Sequence, residues 1–391
     1  MVDHGPGASG VPDSLSVGNL EAIINGSNRA HHEAAGIKHV SQLAPRGSYS
    51  RRPMALMDTF HTNPQLVENF KYNASISEQF YSEINATILA DAYVSGQGTV
   101  VTRNGLLVQE SALEYLAHNQ VPDGFRRDQS GQGFIFSHQP GKVIEEPSIL
   151  VKRPWYRNYG HWLVDGATIL AHFAEQIITT PLTVVIGANE SPLQRNIVRE
   201  TIDKICPGAR VIEMPDTATW RFANLLYVTP LHRPPMVKWP LAMAKLKAAF
   251  VEKGTQAVQG QRLYLSRADA DTRKLANEDE LKGLLDQYGF RTVFTSGMSL
   301  TEQARLFGSA EVAMGVKGAA LANLVFCQPE ATAICLSPGD FIDPFFWDVA
   351  GQLGMAYAEI FGRVVTNHPI GRNDFVMEPQ RLEWALTTLF G

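Results

Sequence analysis

The sequence predicts an α/β protein with two doubly wound domains that face one cleft. Apolar runs such as "LTVVIG" and "RLYLSR" alternate with amphipathic segments such as "SPLQRNIVRETIDKI", which is typical of parallel strands covered by helices on both faces. At 391 residues the chain exceeds the usual size of a single hydrophobic core. A Gly/Gln-rich break, "TQAVQGQ", separates two such alternating regions and is interpreted as the domain linker.

These patterns divide the chain into three parts. Residues 1–40 are rich in Gly, Pro, Ser and His without a period, so a flexible N-terminal segment is expected there. Residues 41–254 form the predicted N-terminal domain, whose β-rich entry segment contains the Asn-Gly hairpin signal "RNG". Ser191 is the expected N-cap of one helix, and Gly254 is expected to close another. Residues 255–391 form the predicted C-terminal domain.

Composition limits the possible partners and location. The net charge of −5 gives no reason to expect nucleic-acid binding through bulk electrostatics. Three scattered cysteines without CxxC spacing indicate neither a disulfide framework nor a structural zinc site. The amino terminus does not read as a signal peptide, and no run reaches the roughly 18 apolar residues of a membrane span. We expect a cytoplasmic protein that can contact the inner membrane peripherally.

Ligands of open α/β sheets bind beyond the carboxyl ends of strands, so the residues after "RLYL" are candidates. Arg267 and Arg273 lie there, and guanidinium groups suit phosphate oxygens. Surface pairing of these arginines with Asp269, Asp271 or Glu278 is an equally good interpretation at this point. Asn277 also has a simple alternative role as an N-cap before an acidic first turn.

A second candidate follows the strand "EVAMGV". Small residues, among them Gly318 and Ala319, allow a ligand to approach the start of the next helix, where exposed N–H groups suit an anion. Lys317 at this positive end is explained by a shared diphosphate or, alternatively, by a side chain that points into water. The missing GxGxxG pattern argues against a dinucleotide oxidoreductase.

The third candidate is "RPWYRNYGHWLVDGATILAHF". His161 and Asp165 lie at i and i+4 on one helix face, which is a usual general-base arrangement and also the spacing of a plain ion pair. His172 is better explained as a core or surface histidine. A metal site of His161, Asp165 and His172 is a minor alternative without the HExxH pattern.

Together these segments resemble family-61 glycosyltransferases, which include plant xylan-decorating enzymes and many bacterial capsule or lipopolysaccharide enzymes. "HWLVD" is similar to the family's histidine-x-x-x-aspartate element, and "SRADADTRKLANE" to its element of two arginines and asparagine-glutamate. "TEQARLFGSAEVAMGVKGAALANLVF" is similar to its third element, which supplies Glu302, Gln303, Gly315, Gly318, Ala319 and Asn323. Two departures are Lys317, where the family usually has histidine, and Ala319 in place of a glycine.

The resemblance implies an inverting glycosyltransferase of the GT-B type that moves a sugar from a nucleotide-sugar donor to a glycan acceptor, in a bacterial capsular or lipopolysaccharide setting. It implies Asp165 as base, assisted by His161. The implied diphosphate site comprises Arg267, Arg273, Asn277, Lys317, Gly318, Ala319 and Asn323. The expected acceptor-side residues are Trp155, Tyr156, Arg157 and Asn158. No cofactor or metal is expected to be required.

Two other functions are compatible with the sequence. The same fold could serve a non-catalytic nucleotide- or carbohydrate-binding protein, particularly because lysine replaces the family histidine. A phosphoryl-transfer enzyme is disfavoured because no GxxxxGK[ST] loop is present. The donor sugar, the nucleotide base, the acceptor and the oligomeric state are left open by the sequence.

Overall fold

A computed structural model describes residues 14–26, 29–232 and 237–391. The strands are β1 (Ser16–Gly18), β2 (Ile37–Ala44), β3 (Gly47–Ser50), β4 (Leu56–Asp58), β5 (Glu78–Tyr81), β6 (Ile84–Ser95), β7 (Thr99–Val101), β8 (Leu106–Val108), β9 (Phe125–Arg127), β10 (Phe134–Phe136), β11 (Lys142–Ile144), β12 (Ser148–Leu150), β13 (Thr183–Gly187), β14 (Val211–Met214), β15 (Thr219–Val228), β16 (Val258–Leu265), β17 (Phe290–Val293), β18 (Ala310–Val316), β19 (Thr332–Pro338), β20 (Ala356–Val364) and β21 (Phe375–Val376).

The α-helices are α1 (Leu20–Asn25), α2 (Arg29–Ala35), α3 (Pro64–Ser75), α4 (Leu113–Leu116), α5 (Tyr159–His161), α6 (Thr168–Thr179), α7 (Pro192–Ile205), α8 (Pro240–Phe250), α9 (Glu278–Gln287), α10 (Leu300–Gly308), α11 (Phe345–Gln352) and α12 (Pro379–Phe390). A π-helix, Trp162–Ala167, joins α5 to α6. Two 3-10 helices lie at Gln109–Ser111 and Ala319–Phe326. Most of the helices and strands predicted beyond residue 88 are present.

The first large sheet is mixed. Its main path runs β1-β8-β7-β6-β15-β12-β13-β14, with β2 also beside β6 and β11 beside β15. Strands β11, β12, β13, β14 and β15 are parallel to their neighbours within this group, and the run "LTVVIG", predicted as a parallel strand, is β13. The β-rich entry segment is antiparallel instead, because the short turns that join β6 to β7 and β7 to β8 cannot connect parallel strands. The hairpin predicted at "RNG" is confirmed.

The second large sheet has the order β17-β16-β18-β19-β20-β21, with β4 beside β20. Every pairing in it is parallel except that of β21. Strand β4 comes from residues that the sequence assigns to the N-terminal domain, and Arg381 of α12 donates a 2.7 Å hydrogen bond to Asp58 at its end. The C-terminal sheet therefore takes one strand from the first part of the chain.

A layer of helices lies between the two sheets. One buried apolar cluster includes Val184 of the first sheet, Ala333 of the second, and Leu246 and Phe326 between them. Contacts of α5, α8, α10 and α11 with the 3-10 helix Ala319–Phe326 belong to the same layer. The strands of both sheets that carry the candidate residues are thus packed onto common helices. Within the described residues, no helix is long and apolar enough to cross a membrane.

Three predicted boundaries need correction. Residues 1–13 and 27–28 of the expected flexible segment lie outside the described residues, but the rest of it is structured, because β1 and β2 pair with β8 and β6. Helix α8 ends at Phe250 rather than at Gly254, with Val251 already extended. The expected linker runs directly into β16, which begins at Val258. Strand pairing with distant residues decides where the N-terminal strands and β16 lie, and local composition does not contain that information.

Candidate active site

The helix that carries the candidate dyad begins at a side-chain cap. Asn158 Oδ1 accepts hydrogen bonds from the backbone N–H groups of Gly160, at 2.8 Å, and of His161, at 3.4 Å. The chain then widens into the π-helix, a turn that recurs at functional sites. His161 and Asp165 still lie on one side of this segment, as the i, i+4 spacing predicts.

Asp165 lies between two imidazoles. The Nδ1 of His161 donates a 2.9 Å hydrogen bond to Oδ2 of Asp165. The other carboxylate oxygen, Oδ1, forms a close ion-pair contact with Nδ1 of His232. The side chain of Asp165 is 10% exposed and that of His232 is 4% exposed, whereas His161 is 26% exposed. Of the three side chains, His161 is the most accessible to a substrate.

The pKa values of Asp165 and His161 are shifted in opposite directions. Burial raises the pKa of Asp165, but the imidazoles of His232 and His161 outweigh it and hold the pKa well below its usual range. Burial lowers the pKa of His161, but the hydrogen bond and the charge of Asp165 outweigh it and raise the pKa above its usual value. Because Nδ1 of His161 is engaged by the carboxylate, Nε2 is the ring atom left to accept a proton.

His232 was missed in the sequence analysis. It lies four residues beyond β15, in "PLHRPP", and reaches Asp165 from a part of the chain remote from "HWLVD". Its position beyond the end of a strand is the signal that indicates His232, because ligands of open α/β sheets bind there. The candidates chosen from the sequence lie in the second half of the chain and in the segment before α6.

Glu114 of α4 was also missed, because no motif surrounds it. With Asp165 and His232 it lines a cavity of about 40 Å³. Burial and the nearby charge of Asp165 raise the pKa of Glu114 to about 7, and a side-chain hydrogen bond from Trp155 opposes this shift. A carboxyl group that titrates near neutral pH therefore lies next to the histidine cluster.

Arg267 and Arg273 come together beyond the end of β16. Arg273 donates from Nε to the carbonyl of Gly371 and from Nη1 to that of Lys317, both at 2.8 Å. Arg267 donates from Nη2 to the carbonyl of Thr272 at 3.0 Å. Burial lowers the pKa of both groups, and the charge of Arg267 lowers that of Arg273 further. The charges of Asp269 and Asp374 oppose this lowering at Arg267, and those of Asp343 and Asp340 oppose it at Arg273. Within the described residues none of these carboxylates forms a salt bridge with the pair, so two neighbouring cations whose hydrogen bonds go to carbonyls favour an anionic ligand.

The alternative that Glu278 pairs with Arg267 or Arg273 at the surface is not seen in the described residues. Its carboxylate accepts hydrogen bonds from the hydroxyls of Tyr264, at 3.0 Å, and Ser266, at 2.6 Å. Within the described ranges, Nε of Arg267 is buried without a hydrogen-bond partner. An unpaired buried donor is costly, so this atom is a ready contact for an anion.

Gly318 allows a close approach by the side chain of Arg267, and the approach of a ligand at this position stays a prediction. A Cβ atom at this position would overlap Nη1 of Arg267. The 3-10 helix begins at the next residue, Ala319, which is partly buried. Glycine therefore allows the guanidinium of Arg267 to lie directly against the start of this helix.

Lys317 is buried and ion-paired. Its Nζ lies 2.6 Å from Oε1 of Glu359 and donates to the carbonyl of Asp343 at 2.8 Å, and the residue is 1% exposed. Burial alone would lower the pKa of this ammonium, but the charge of Glu359 outweighs it and raises the pKa. The alternative of a lysine pointing into water is wrong. A diphosphate contact for Lys317 stays a prediction, and its ammonium is turned toward Glu359.

Two asparagines of the predicted donor site form hydrogen bonds that stabilise neighbouring segments. Asn277 exchanges two hydrogen bonds with the backbone of Met377, at 2.8 and 2.9 Å, and its side chain does not cap α9. Asn323 is fully buried and donates to Oε1 of Gln303 at 2.7 Å, while the hydroxyl of Tyr159 donates to it at 2.5 Å. Both side chains hold segments that carry the arginines or the dyad.

Among the expected acceptor-side residues, Trp155 is the exposed ring. It is 51% exposed and has a positive φ of 62°, which is unusual for a bulky residue, and Gln97 Oε1 accepts its backbone N–H at 2.7 Å. Tyr156 is buried and donates to Asp216 at 3.0 Å, and Arg157 pairs with the same carboxylate. Arg157 and Asn158 are also exposed, so Trp155 is the aromatic ring of this group that is open to contact.

The loop after β19 connects the two halves of the site. The ring of Phe341 lies 4.8 Å from Cζ of Arg273. The ring of Phe345 lies 6.2 Å from those of both His161 and His232. A more direct link runs through α5, since a Cβ atom added at Gly160 would lie 3.8 Å from the carbonyl oxygen of Ala319. The segment that carries His161 therefore contacts the start of the 3-10 helix that lies against Arg267.

The minor metal-site alternative is not assembled. In the part of the chain that the structure describes, no group of three or more His, Cys, Asp or Glu side chains could hold a metal ion. His172 packs instead against Trp239, with ring centroids 4.9 Å apart.

The mixed α/β fold carries an imidazole–carboxylate pair and two guanidiniums that form no salt bridge within the described ranges, an arrangement suited to group transfer with an anionic leaving group. Comparison with known proteins agrees with this class. The profile described as Glycosyltransferase 61 matches residues 159–335, a range that begins at Tyr159 of α5 and includes the dyad and both arginines.

Two curated relatives come from Oryza sativa subsp. japonica. A beta-1,2-xylosyltransferase is 33% identical over 104 residues, which are 25% of this chain and 18% of that protein. An alpha-1,3-arabinosyltransferase is 31% identical over 112 residues, 28% of this chain and 19% of that protein. The chain thus aligns with less than a fifth of the length of either relative. These similarities show that part of this chain is similar to glycosyltransferase 61 and to two plant glycosyltransferases.

Proposed function

We propose that this protein transfers a sugar from a nucleotide-sugar donor to a glycan acceptor, with inversion at the anomeric carbon. The observation that carries the proposal is the arginine pair beside a His161–Asp165 dyad. A nucleotide-sugar donor leaves as a diphosphate, for which the guanidiniums supply charge-assisted hydrogen bonds. An acceptor hydroxyl needs a base, for which the dyad supplies an imidazole.

In the proposed reaction, Nε2 of His161 takes the proton of the acceptor hydroxyl as that oxygen attacks the anomeric carbon. The bond from this carbon to the diphosphate oxygen breaks in the same displacement, and its electron pair leaves with the nucleotide. Asp165 holds Nδ1 of the ring and stabilises the imidazolium that forms. Arg267, Arg273 and the exposed N–H groups that follow Gly318 stabilise the departing diphosphate.

In this scheme His161 is the base, whereas the sequence-based assignment gives that role to Asp165. We give the base to His161 because the carboxylate is buried between two donors and its pKa is lowered, which makes it a weak proton acceptor. Lys317 is given an indirect role: its backbone carbonyl accepts from Arg273 and its ammonium holds Glu359.

The choice of substrates follows from the relatives. Because both are named as transferases of pentose sugars, nucleotide-linked xylose and arabinose are the first donors to test. The exposed ring of Trp155, next to Glu114, is proposed to contact the acceptor sugar. A role in cell-surface polysaccharide synthesis, on the cytoplasmic side of the membrane, stays a prediction of the sequence.

Binding is tested by calorimetry with UDP, GDP, CMP and dTDP and their sugars. The nucleotide that binds should lose at least tenfold in affinity with Arg273→Ala, because one charge-assisted contact contributes on the order of 1.5–3 kcal/mol. Arg221→Ala is the matched control, since Arg221 pairs with Asp91 on the first sheet. Unchanged affinity in Arg273→Ala would contradict the diphosphate site.

Catalysis is tested by release of nucleoside diphosphate from the bound donor. We expect His161→Ala to lower kcat by about a hundredfold or more while donor affinity stays near that of the wild type. Near-normal turnover in His161→Ala would exclude His161 as the base. A wild-type protein that binds donors but turns none of them over, with or without glycan acceptors, would support the non-catalytic binding protein instead.

A further inference from the structure

The carboxylate of Asp165 has two oxygens, and only one of them serves His161. The second, Oδ1, is in close ion-pair contact with Nδ1 of His232, which arrives on the loop beyond β15 and whose backbone forms an isolated bridge with Lys238. The His232 ring meets that of Phe345 edge to face, at 6.2 Å and 87°. Its side chain is 4% exposed, so it is fixed in place by packing.

We propose that His232 is a positioning residue for the site, whose Nδ1–H fixes the second oxygen of Asp165 and so holds the carboxylate that orients His161. This role rests on the proposed function only in assigning the base to His161. A carboxylate that accepts a single hydrogen bond can rotate about its χ2 angle, whereas one held at both oxygens cannot do so without losing a bond. Orientation of the general base is therefore shared between two histidines.

The contact also distributes charge. A donor at Oδ1 draws electron density away from Oδ2. The carboxylate therefore stabilises the protonated form of His161 less strongly. Removal of that donor leaves the full charge of Asp165 to His161, so the imidazolium becomes harder to deprotonate. The direction is the same whether His232 is neutral or protonated, because a protonated ring would also repel the His161 cation.

Other charged groups near the pair need to be counted in any titration. Those on neighbouring segments are Glu21, Glu83, Glu110, Glu114, Arg153, Lys238 and Asp343. Of these, Glu114 and Asp343 raise the pKa of His161, as Asp165 does. None of them is changed by a substitution at His232, so a shift between variants reports the Asp165 contact.

The position could instead be merely structural, filling space behind the dyad. Among the described residues, Nε2 of His232 is buried without a partner. A histidine kept only for packing would give the same result for any replacement of similar size, whereas a positioning histidine requires a donor at the place of Nδ1. Asparagine keeps an N–H group near that place, and glutamine of similar volume extends its amide farther from the backbone.

The test titrates the imidazole of His161 by NMR in protein labelled at histidine ring carbons, with His161→Gln used for assignment. His232→Ala and His232→Gln should raise the His161 pKa by on the order of half a unit, as expected for loss of one hydrogen bond of about 1 kcal/mol. His232→Asn should stay close to the wild type. His172→Asn, which replaces a histidine packed on Trp239, should cause no shift.

Two results would overturn the proposal: an unshifted His161 pKa in His232→Ala and His232→Gln, or an equal shift in His232→Asn. If the alanine variant does not fold, the glutamine and asparagine variants decide the question. In an activity assay the same shift should move the acid limb of kcat upward in pH while KM for the donor stays constant. Because the NMR arm needs no turnover, its success without any transferase activity would contradict the proposed function and leave the positioning role intact.

Discussion

The hydroxyl of Tyr159 donates a 2.5 Å hydrogen bond to Oδ1 of Asn323. Asn323 in turn donates to Gln303, which also accepts from Tyr159 at 3.2 Å. Tyr159 begins the helix that ends at His161, and Asn323 lies in the 3-10 helix whose start faces Arg267. This three-member network therefore fixes the distance between the proposed base and the proposed diphosphate site.

The first prediction concerns this network. Tyr159→Phe should lower the free energy of unfolding by about 1–3 kcal/mol, because it removes the hydroxyl that donates to the buried Oδ1 of Asn323. It should also lower kcat more than donor affinity, since the base moves relative to the leaving group. Urea denaturation and donor turnover measure the two effects. Tyr288→Phe, which removes an exposed hydroxyl contact to Thr387, should change neither.

A second prediction follows from the close approach at Gly318. Gly318→Ala should displace the guanidinium of Arg267, because that flexible group can move more easily than the backbone around it. We expect a loss of nucleotide affinity of about tenfold by calorimetry, with the melting temperature within a few degrees of the wild type. A variant that melts far lower but binds normally would show that Gly318 serves packing rather than the arginine.

The third prediction separates the structural and phosphate roles of Lys317. Lys317→Met should cost about 3–5 kcal/mol of stability, since it leaves Glu359 buried and charged without its cation. Lys317→Met with Glu359→Gln should recover part of this loss. Donor affinity of the folded double variant should stay within about threefold of the wild type if the ammonium does not contact the diphosphate. A loss of a hundredfold would restore the direct role predicted from sequence.

A fourth prediction concerns pH. His161 has a pKa raised above 6.5 in the folded protein, so its stabilising contribution is fully present below pH 6.5 and is lost as pH rises through the folded value. The stability difference between the wild type and His161→Gln, measured by urea denaturation from about pH 5 to about pH 9, should therefore shrink as pH rises. Turnover should rise over the same range, because the base must be neutral.

Asp165 behaves in the opposite sense. Its pKa is lowered from 3.8, so its contribution is present above that value and is lost as pH falls below it. The wild type should consequently lose more stability than Asp165→Asn when acidified from about pH 5 to about pH 3. Parallel acid-denaturation curves for the two proteins would show that the carboxylate is not stabilised by its two histidines.

The parts of the site that could be predicted were those encoded within one segment. The i, i+4 spacing was enough to bring His161 to Asp165, and small residues were enough to indicate a close approach at Gly318. His232 and Glu114 could not be found in this way, because the fold brings them to Asp165 from separate segments. The sequence also could not indicate the ion-pair partner of Lys317, because Glu359 lies on another strand of the same sheet.

The fold shows the same distinction. Alternating apolar and amphipathic segments predicted the strands and helices of the second half, where each strand pairs in parallel with a neighbour reached through a helix. The pattern could not show that β4 joins that sheet, because a three-residue strand carries almost no periodicity. Long-range pairing, rather than local preference, determines where such a segment belongs.

The position of β4 has a consequence for synthesis on the ribosome. Residues Leu56–Asp58 are made well before their partner β20, and Asp58 precedes the arginine that holds it by 323 positions. The second sheet cannot take up β4 until β20 has been made, so during that interval β4 lacks its native partner strand. Slowing translation of the residues between β4 and β20 should therefore lengthen the time during which the nascent chain depends on chaperones.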